Sequence, residues 1–339
     1  MNDLTISKQF QDSFPTVVEG LKKAQNIFDS IKGFEDIERV FLKGNGLSQN
    51  TYKSYLQAVK QFYDYTEGLN PLQVKPSHIE AFYDHQVNKV DRNTAYLRIR
   101  GLKKFFAGIR NIISFYTSPF ELMSEKLEKK LNRTKKGNRT KKALTFKEMK
   151  AIFEYLSQDK TLKGKQDFAL VFMLVTSGLR ANELCQLRWK DIEFFEGKWT
   201  ATFIGKGDQE AEQELYGSAV QACKDYFKAQ FKREPKPEDH LFWVIPQVKG
   251  SGSWPMPYQT VYNHIKKLGL KLRGSGILER ELTFTPHLMR RSYATFLYKK
   301  GMKIKAIQQK TRHASVDTLI NHYIDDTEQA SGYLDAVFA

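Results

Sequence analysis

A basic run near the middle of the chain divides it into two parts. The sequence KKLNRTKKGNRTKK, from Lys129 to Lys142, contains eight Lys or Arg residues and no acidic residue. Its only large apolar side chain is Leu131, so this stretch has little apolar surface to bury in a core. The run therefore predicts an exposed linker or a strand that tracks phosphates, and we place the basic interdomain linker at residues 125–142.

Composition favours a nucleic-acid partner for such a chain. At roughly 100 to 200 residues per domain, 339 residues suggest two domains, and 54 Lys and Arg against 38 Asp and Glu leave a net charge of +16. Lys and Arg bind phosphates with release of counterions, although a basic surface without a ligand would have the same composition. The 41% of hydrophobic residues exclude an intrinsically disordered chain.

Membrane proteins and proteins stabilised by disulfides or metals fit the sequence poorly. The longest apolar run, Phe168 to Val175, is far shorter than the ~20 residues of a membrane span, and MNDLTISKQFQDSF lacks the apolar stretch of a signal peptide. Cys185 and Cys223 are too few for a disulfide framework, and no Cys/His group has zinc-ligand spacing. We therefore expect a cytoplasmic protein without a metal or other cofactor.

The part before the basic run is predicted to be helical. Ser48 can cap a helix whose apolar residues recur at every third or fourth position. Helices are predicted over residues 52–63, 76–87 and 92–109, with another around 17–31. The helix over 92–109 mixes aromatic and basic side chains, so it could lie on a DNA duplex or have a solvated basic face. Residues 34–124 form one predicted helical domain, and residues 1–33 are an extension without an assigned role.

The part after the basic run is predicted to be mixed. Thr145 and Glu148 have capping-box spacing and begin a helix. Between Asp191 and Tyr216, short apolar segments are separated by glycine-containing turns, which indicates a small antiparallel sheet. Helices are predicted over 146–157, 164–176, 181–187, 217–231, 257–269, 286–299, 303–310 and 316–323, with a last one near 327–338. The predicted fold class is mainly α with a small antiparallel β-sheet (α+β).

Three motifs supply residue types suited to phosphodiester chemistry without a metal, which needs cations, a nucleophile and a proton donor. In TSGLRANEL, Arg180 follows Gly178 in a turn before a helix. Its planar guanidinium could bind a phosphate, or it could pair with Glu183 on the surface.

The second and third motifs lie near the end of the chain. In TPHLMRR, His287 falls in the first turn of a helix with Arg290 on the same face, although Arg291 could occupy that face equally. In TRHASVDTLINHYID, His313 lies in a loop and Tyr323 on the short helix that follows. Each motif alone has an ordinary structural explanation as a capped helix or a packing tyrosine.

The order of these motifs resembles the tyrosine recombinase family of phage integrases and Xer-like proteins. That order is GLRxxEL, a Lys in a Gly-flanked hairpin turn, HxxR after Thr-Pro, a loop His, and a Tyr ten residues further on. The resemblance implies a catalytic domain over residues 143–326 and, more loosely, a SAM-like core-binding domain over residues 34–124. By this resemblance the catalytic residues are Arg180, Lys206, His287, Arg290, His313 and Tyr323.

The resemblance implies a site-specific DNA recombinase that integrates or excises a mobile element, or resolves DNA dimers. It would cleave and rejoin duplex strands through a 3′-phosphotyrosyl intermediate on Tyr323, without metal or ATP. Arg180 and Arg290 would bind the non-bridging phosphate oxygens, and Lys206 would protonate the 5′-hydroxyl leaving group. His287 would assist proton transfer and His313 would bind the phosphate, while the assignment of the base stays open between them.

Two other activities fit parts of the same pattern. A type IB topoisomerase-like nicking and closing enzyme would use the same phosphotyrosine chemistry without exchanging partners. A non-catalytic DNA-binding protein of recombinase descent would keep the fold without Tyr323 lying near Arg180, Arg290 and His287.

Several positions depart from the family pattern. Thr311-Arg312 stand where Leu-Gly is usual, Leu319 where a Thr is common, and His322 at the commonest distance for the tyrosine. A histidine would not suit a stable phosphodiester exchange, so Tyr323 remains the predicted nucleophile and Tyr333 the alternative. The hairpin after Lys206 is acidic, with residues that would place its tip away from DNA: Asp208, Glu210, Glu212 and Glu214.

The expected partners are double-stranded DNA, further copies of the chain in a tetrameric synapse, and accessory DNA-binding proteins in a nucleoid-associated location. The tail over residues 327–339 is predicted to be a helix that docks on a neighbouring subunit or on its own domain. The linker residues predicted to contact the DNA backbone are Lys129, Lys130, Arg133, Lys135, Lys136, Arg139, Lys141 and Lys142.

Overall fold

The computed structural model describes residues 47–112, 116–132, 142–205, 209–246 and 251–325, together with five isolated helical positions, 16, 18, 19, 22 and 26. The chain divides into two compact units, Met1–Asn138 and Arg139–Ala339. Several predicted features lie outside the described residues: most of the 1–33 extension, Lys206, Asp208, Arg133, Lys135, Lys136, Arg139, Lys141, Tyr333 and the tail helix over 327–339.

The described part of the first unit is helical. Its helices are α1 (Gln49–Tyr65), α2 (Pro76–Lys89), α3 (Arg92–Ile112) and α4 (Glu125–Leu131), with a short 3₁₀ turn at Pro71–Gln73. Helix α1 begins at its predicted cap, Ser48, whose hydroxyl accepts the backbone N–H of Thr51 at 3.4 Å. Phe62 of α1 packs edge-to-face on Phe82 of α2, with ring centroids 5.2 Å apart, and also contacts Phe106 of α3. These rings form the centre of the first core.

The start of the predicted linker belongs to the first unit as helix α4. Leu127 and Leu131 lie four residues apart on one face and are buried in the first core. Lys130 donates to Glu80 at 2.8 Å and to Asp84 at 2.9 Å, both on α2. Residues 125–131, which the sequence assigned to the linker, thus form a helix of the first unit, with two leucines buried and most other side chains exposed. The sequence did not indicate this helix, because Leu127 precedes the basic run and Leu131 lies inside it.

The second unit is built around one largely buried helix. Its helices are α5 (Phe146–Gln158), α6 (Leu162–Ser177), α7 (Ala181–Gln186), α8 (Gly217–Phe231), α9 (Tyr258–Gly274), α10 (Pro286–Lys299), α11 (Ile304–Thr311) and α12 (Val316–His322). Helix α6 packs against α5, α8 and α10. Its second half, Phe168 to Val175, is a continuous apolar run, and such a segment belongs in a core.

A small sheet lies on one side of this second core. Strands β1 (Ile192–Phe195), β2 (Lys198–Ile204) and β3 (Glu210–Leu215) are antiparallel in the order β1-β2-β3. In β3 the side chains alternate, so that Gln213 and Leu215 are buried while Glu212 and Glu214 are exposed. The predicted fold class, mainly α with a small antiparallel sheet, is confirmed.

Helix α9 runs five residues beyond its predicted end at Gly269. A Cβ at Gly269 would collide with the ring of Phe284, so this glycine permits a close approach inside the helix and does not end it. None of the helices in the described ranges combines the length and the apolar character needed to cross a membrane.

Candidate active site

The turn after α6 is shaped by Gly178. Its backbone is left-handed, with φ of +63°, and a Cβ there would collide with the ring of Tyr293. Glycine is the residue that meets both conditions without strain. The turn leads directly to Arg180, which stands at the N-terminal cap of α7, so the protein backbone fixes the position of this predicted phosphate-binding residue.

Glu183, one turn further on, holds Arg180. Its carboxylate accepts the backbone N–H of Arg180 at 2.8 Å and the Nη1 of Arg180 at 2.7 Å. Burial alone would raise the pKa of Glu183, but the hydrogen bond from the Arg180 backbone and the charges of Arg312 and Arg180 outweigh it and lower that pKa. The side chain of Arg180 stays 32% exposed. The ion pair with Glu183 and access to a ligand are therefore compatible.

Arg290 is nearly enclosed by protein, with 1% of its surface exposed. Its Nη1 donates to the carbonyl of Gly178 and its Nη2 to the carbonyl of Thr311. Burial and the nearby charge of Arg180 lower the pKa of Arg290 to about 10, so it remains a cation near neutral pH. A buried cation that lacks a carboxylate of its own is well suited to receive an anionic group.

The structure distinguishes Arg290 from its neighbour. Helix α10 begins at its predicted cap, Thr285, with Pro286 as the first helical residue. The Nη1 of Arg291 donates to the carbonyl of Lys142 at 3.3 Å, whereas Arg290 shares the Gly178 turn with Arg180. Arg290 is thus the arginine that lies with the other predicted site residues.

Two arginines are predicted to bind the phosphate, and each donates a hydrogen bond to one of two consecutive backbone carbonyls. Arg290 donates to the carbonyl of Thr311, and the Nη2 of Arg180 donates to the carbonyl of Arg312 at 3.0 Å. The loop after α11 therefore brings the guanidinium groups of α7 and α10 to the same place. Because both arginines donate to backbone carbonyls, the backbone conformation at residues 311–312 sets the position of one guanidinium relative to the other.

The phenol of Tyr323 belongs to the same group of side chains. The Tyr323 hydroxyl is 2.9 Å from Nε2 of His287, and the two rings meet edge-to-face. Partial burial of the imidazole, together with the charges of Arg290, Arg291 and Arg180, lowers the pKa of His287. A neutral imidazole can accept the phenol proton, even though one side of His287 is open to solvent.

His313 also packs against the Tyr323 ring. The ring centroids are 4.0 Å apart, and Nδ1 of His313 lies 2.6 Å from the hydroxyl of Thr311. Burial and the charges of Arg290 and Arg180 lower the pKa of His313 to about 3, which keeps the ring neutral. Its Nε2 is buried and has no hydrogen-bond partner within the described ranges. That nitrogen is the part of His313 available to a substrate.

A small apolar cluster fixes the Tyr323 backbone. Tyr323 packs with Leu319 and Ile307, and its carbonyl accepts the hydroxyl of Thr295 at 3.0 Å. Leu319, which departs from the family pattern, is fully buried in this cluster and so has a packing role. The cluster keeps Tyr323 beside the His287 and Arg290 of its own chain.

The structure thus brings five of the six predicted residues together, namely Arg180, His287, Arg290, His313 and Tyr323. Lys206 lies outside the described residues, but the strands on either side of it are joined by a 2.7 Å hydrogen bond from Gly205 to the Gln209 carbonyl. Of the acidic hairpin residues, Glu214 pairs with Lys310 at 3.0 Å. The described parts of the chain contain no group of three or more His, Cys, Asp or Glu residues that could hold a metal ion.

Sequence reasoning missed one member of this group of residues. Arg312 donates to Glu183 at 2.8 Å and also to Gln213 of β3. The sequence marked Thr311-Arg312 as a departure without a role. A position where glycine is usual predicts a left-handed backbone, and this was the signal that could have located the residue at a helix end.

Comparison with known proteins relates both units to one family. Residues 142–330 match the phage integrase family, and residues 36–112 match the N-terminal SAM-like domain of phage integrases. The tyrosine recombinase XerA of Pyrococcus furiosus is 26% identical over 280 residues, covering 82% of this chain and 84% of that protein. The tyrosine recombinase XerD of Listeria monocytogenes is 25% identical over 290 residues, covering 84% and 91%.

Solved structures show the same fold. The XerH site-specific recombinase, in a post-cleavage complex with its difH substrate, aligns with a TM-score of 0.65 and 18% identity over 99% of this chain and 92% of that one. The Tn1549 transposon integrase, in complex with transposon right end DNA, aligns with a TM-score of 0.62 and 19% identity over 94% and 100%.

Proposed function

The chain belongs to the phage integrase family of tyrosine recombinases, and on this premise we propose that it is a site-specific DNA recombinase whose nucleophile is Tyr323. The observation that carries the proposal is the 2.9 Å contact between the Tyr323 hydroxyl and Nε2 of His287, beside two guanidinium groups. A phenol next to a neutral base and cations is the arrangement that phosphoryl transfer to tyrosine requires.

In the proposed first step, the Tyr323 oxygen attacks the scissile phosphorus. A bond forms between phosphorus and the phenol oxygen, the bond to the 5′ oxygen breaks, and the phenol proton passes to Nε2 of His287. The lowered pKa of His287 supports it as the base, because the ring is neutral at the pH where it must accept a proton. In the second step, a 5′-hydroxyl attacks the phosphotyrosine: a bond forms between phosphorus and the 5′ oxygen, and the bond to the phenol oxygen of Tyr323 breaks. The hydroxyl proton passes to Lys206, which gave up its own in the first step, and the proton on His287 returns to the phenol, so strand exchange balances without water, metal or ATP.

We assign Arg180 and Arg290 the role of stabilising the negative charge that develops on the phosphate during the reaction. Both already donate to backbone carbonyls at residues 311 and 312, so little reorganisation is needed to add an anionic ligand. Nε2 of neutral His313 provides a further polar contact. Lys206, which lies between β2 and β3 in the sequence, is assigned as the acid that protonates the leaving 5′ oxygen; this assignment rests on the family resemblance.

Double-stranded DNA is the proposed substrate. The net charge of +16 favours a polyanion, and the related XerH and Tn1549 structures contain DNA. We assign residues 34–124 as the core-binding domain and 143–326 as the catalytic domain. A tetrameric synapse, a nucleoid-associated location, and a task in mobile-element transfer or dimer resolution are part of the same proposal.

A suicide duplex tests the proposal. Such a duplex carries a nick close to the scissile phosphate, so the short released strand diffuses away and the covalent complex accumulates. Wild-type protein should form an adduct that survives denaturing electrophoresis, and Tyr323→Phe should form none. Total absence of an adduct with the cognate site would indicate the non-catalytic alternative. Relaxation of supercoils without recombinant products from two duplexes would indicate the topoisomerase alternative.

A further inference from the structure

The backbone at Arg312 adopts a conformation that few side chains occupy. Arg312 follows helix α11 with φ of +51° and ψ of +46°, in the left-handed region. For a residue with a Cβ this conformation is strained, and glycine would avoid the strain. The arginine side chain must therefore do something at this position that offsets the strain.

The side chain of Arg312 is bound on several sides. Its Nη2 donates to Glu183 at 2.8 Å, its Nη1 donates to Gln213 of β3, and its guanidinium lies 4.8 Å above the ring of Phe203 on β2. The side chain is 17% exposed, and burial lowers its pKa. One planar fork thus connects the loop after α11, the start of α7 and the β2–β3 hairpin.

Arg312 also contacts Arg180 by two routes. Its backbone carbonyl accepts the Nη2 of Arg180, and the Glu183 carboxylate lies between the two guanidinium groups. Glu183 is 4% exposed, so its charge is poorly solvated and needs both partners. If the guanidinium of Arg312 were absent, the carboxylate would keep the backbone N–H of Arg180 as a partner, and the guanidinium of Arg180 would be its only remaining cationic partner among those described. The Glu183 charge would then compete more strongly with a ligand for that guanidinium.

We propose that Arg312 is a positioning residue: it shares the charge of Glu183 by donating to Oε2, which otherwise accepts the backbone N–H of Arg180, and thereby keeps the guanidinium of Arg180 available to the scissile phosphate. The proposal rests on the proposed function, because it assigns Arg180 a phosphate. Arg312 does not itself contact the substrate in this account, since Glu183 and Gln213 occupy both of its terminal nitrogens.

Arg312→Gly is the informative variant, because glycine suits the left-handed backbone and only the side-chain contacts are lost. Lys232→Gly is the matched control. Lys232 is an exposed residue with φ of +55° at the end of α8, so its replacement relieves the same kind of strain away from the site. Arg312→Lys keeps a positive charge without the planar fork that bridges Glu183 and Gln213.

The readout compares two suicide duplexes, one with the natural phosphodiester and one with a methylphosphonate at the scissile position. The methylphosphonate lacks the negative charge that Arg180 is proposed to neutralise. Arg312→Gly should form adduct on the phosphodiester at least about tenfold more slowly than wild type, the worth of one charge-assisted hydrogen bond. The methylphosphonate should restore most of that loss, as it should for Arg180→Ala. Arg312→Lys should fall between wild type and Arg312→Gly, and Lys232→Gly should match wild type on both duplexes.

The double variant separates positioning from direct contact. In an Arg180→Ala background, Arg312→Gly should cause no further loss, because both changes remove the same interaction. Equal loss on both duplexes, additive loss in the double variant, or wild-type rates for Arg312→Gly would each overturn the proposal while leaving the proposed function intact. A wild-type chain that forms no adduct on its cognate phosphodiester would instead overturn the proposed function.

Discussion

The phenol oxygen of Tyr323 lies 2.9 Å from Nε2 of His287, although 36 residues separate the two in the chain. Tyr323 reaches this point because Leu319 and Thr295 fix the end of α12. His287 reaches it because Thr285 and Pro286 begin α10 two residues earlier. Both residues of the pair belong to the same chain, so the candidate nucleophile and base lie together in this structure.

His287 should be required for the rate of strand cleavage more than for DNA binding. Loss of a general base lowers rates by roughly 10²- to 10⁴-fold, so His287→Phe should form adduct that much more slowly. Because the pKa of His287 is lowered, the wild-type cleavage rate should begin to fall, as the pH is lowered, at a pH below the ordinary pKa of histidine. Single-turnover cleavage at a series of pH values checks this, with DNA affinity measured in parallel. If weaker DNA binding alone explained the slower adduct formation of His287→Phe, the assignment of His287 as the base would be contradicted.

His313 should make the protein less stable in acid. Its pKa is about 3 in the folded chain and 6.5 in the reference state, so between these values the unfolded chain binds a proton that the folded chain does not. The free energy of unfolding should therefore fall as the pH drops below 6.5, by at most about 1.4 kcal/mol per pH unit, and by less where solvent screens the ring.

The comparison with His313→Asn isolates this contribution from that of the carboxylates, which also lose stabilising charge in acid. Urea denaturation between pH 7 and pH 4 should give a shallower decline for the variant than for wild type. Parallel declines would show that His313 titrates normally.

Gly178→Ala should damage both the fold and the site. The substitution combines a strained φ of +63° with a collision against Tyr293, and it moves the carbonyl that binds Arg290. Gly197→Ala is the matched control, since Gly197 has φ of +77° and open space around it. We expect about 1–2 kcal/mol of lost stability for the control, and a larger loss with slower cleavage for Gly178→Ala. Equal losses in thermal unfolding would exclude the collision as a cause.

The basic run should contribute unequally to DNA binding. Lys130 already donates to Glu80 and Asp84, so its charge is partly used within the first unit. Each phosphate contact contributes about 0.9 to the slope of log K against log salt. Replacing Lys135, Lys136 and Lys141 together by alanine should reduce the slope by up to about 2.7, from three such contacts. Lys130→Ala should reduce the slope by less than the contribution of one contact, about 0.9. A larger reduction would contradict the expectation that Lys130 is partly neutralised within the first unit.

Local patterns predicted the elements well, and non-local contacts explain the errors. Helices α8 and α10 have their predicted bounds because caps and apolar spacing are local signals. Helix α4 was missed because its two leucines are buried by a core that the basic run does not reveal. The predicted end of α9 at residue 269 falls too early, and the packing of Gly269 on Phe284 inside the helix depends on a residue fifteen positions away.

The site residues also divide into those that local patterns indicate and those that non-local contacts reveal. Motif order indicated Arg180, His287, Arg290, His313 and Tyr323, because each belongs to a short pattern with its own cap or turn. Arg312 has no such pattern: its importance depends on Glu183 and Gln213, which are about 100 residues or more away in sequence. The choice of Arg290 over Arg291 also required the positions of Gly178 and Lys142.

The most direct test of the central claim is the identity of the residue that becomes linked to DNA. The adduct trapped on a suicide duplex can be digested with nuclease and trypsin, and the modified peptide sequenced by tandem mass spectrometry. Our account predicts a nucleotide on Tyr323, through an acid-stable phosphotyrosine bond. An acid-labile link to His322, or a nucleotide on Tyr333, would contradict it.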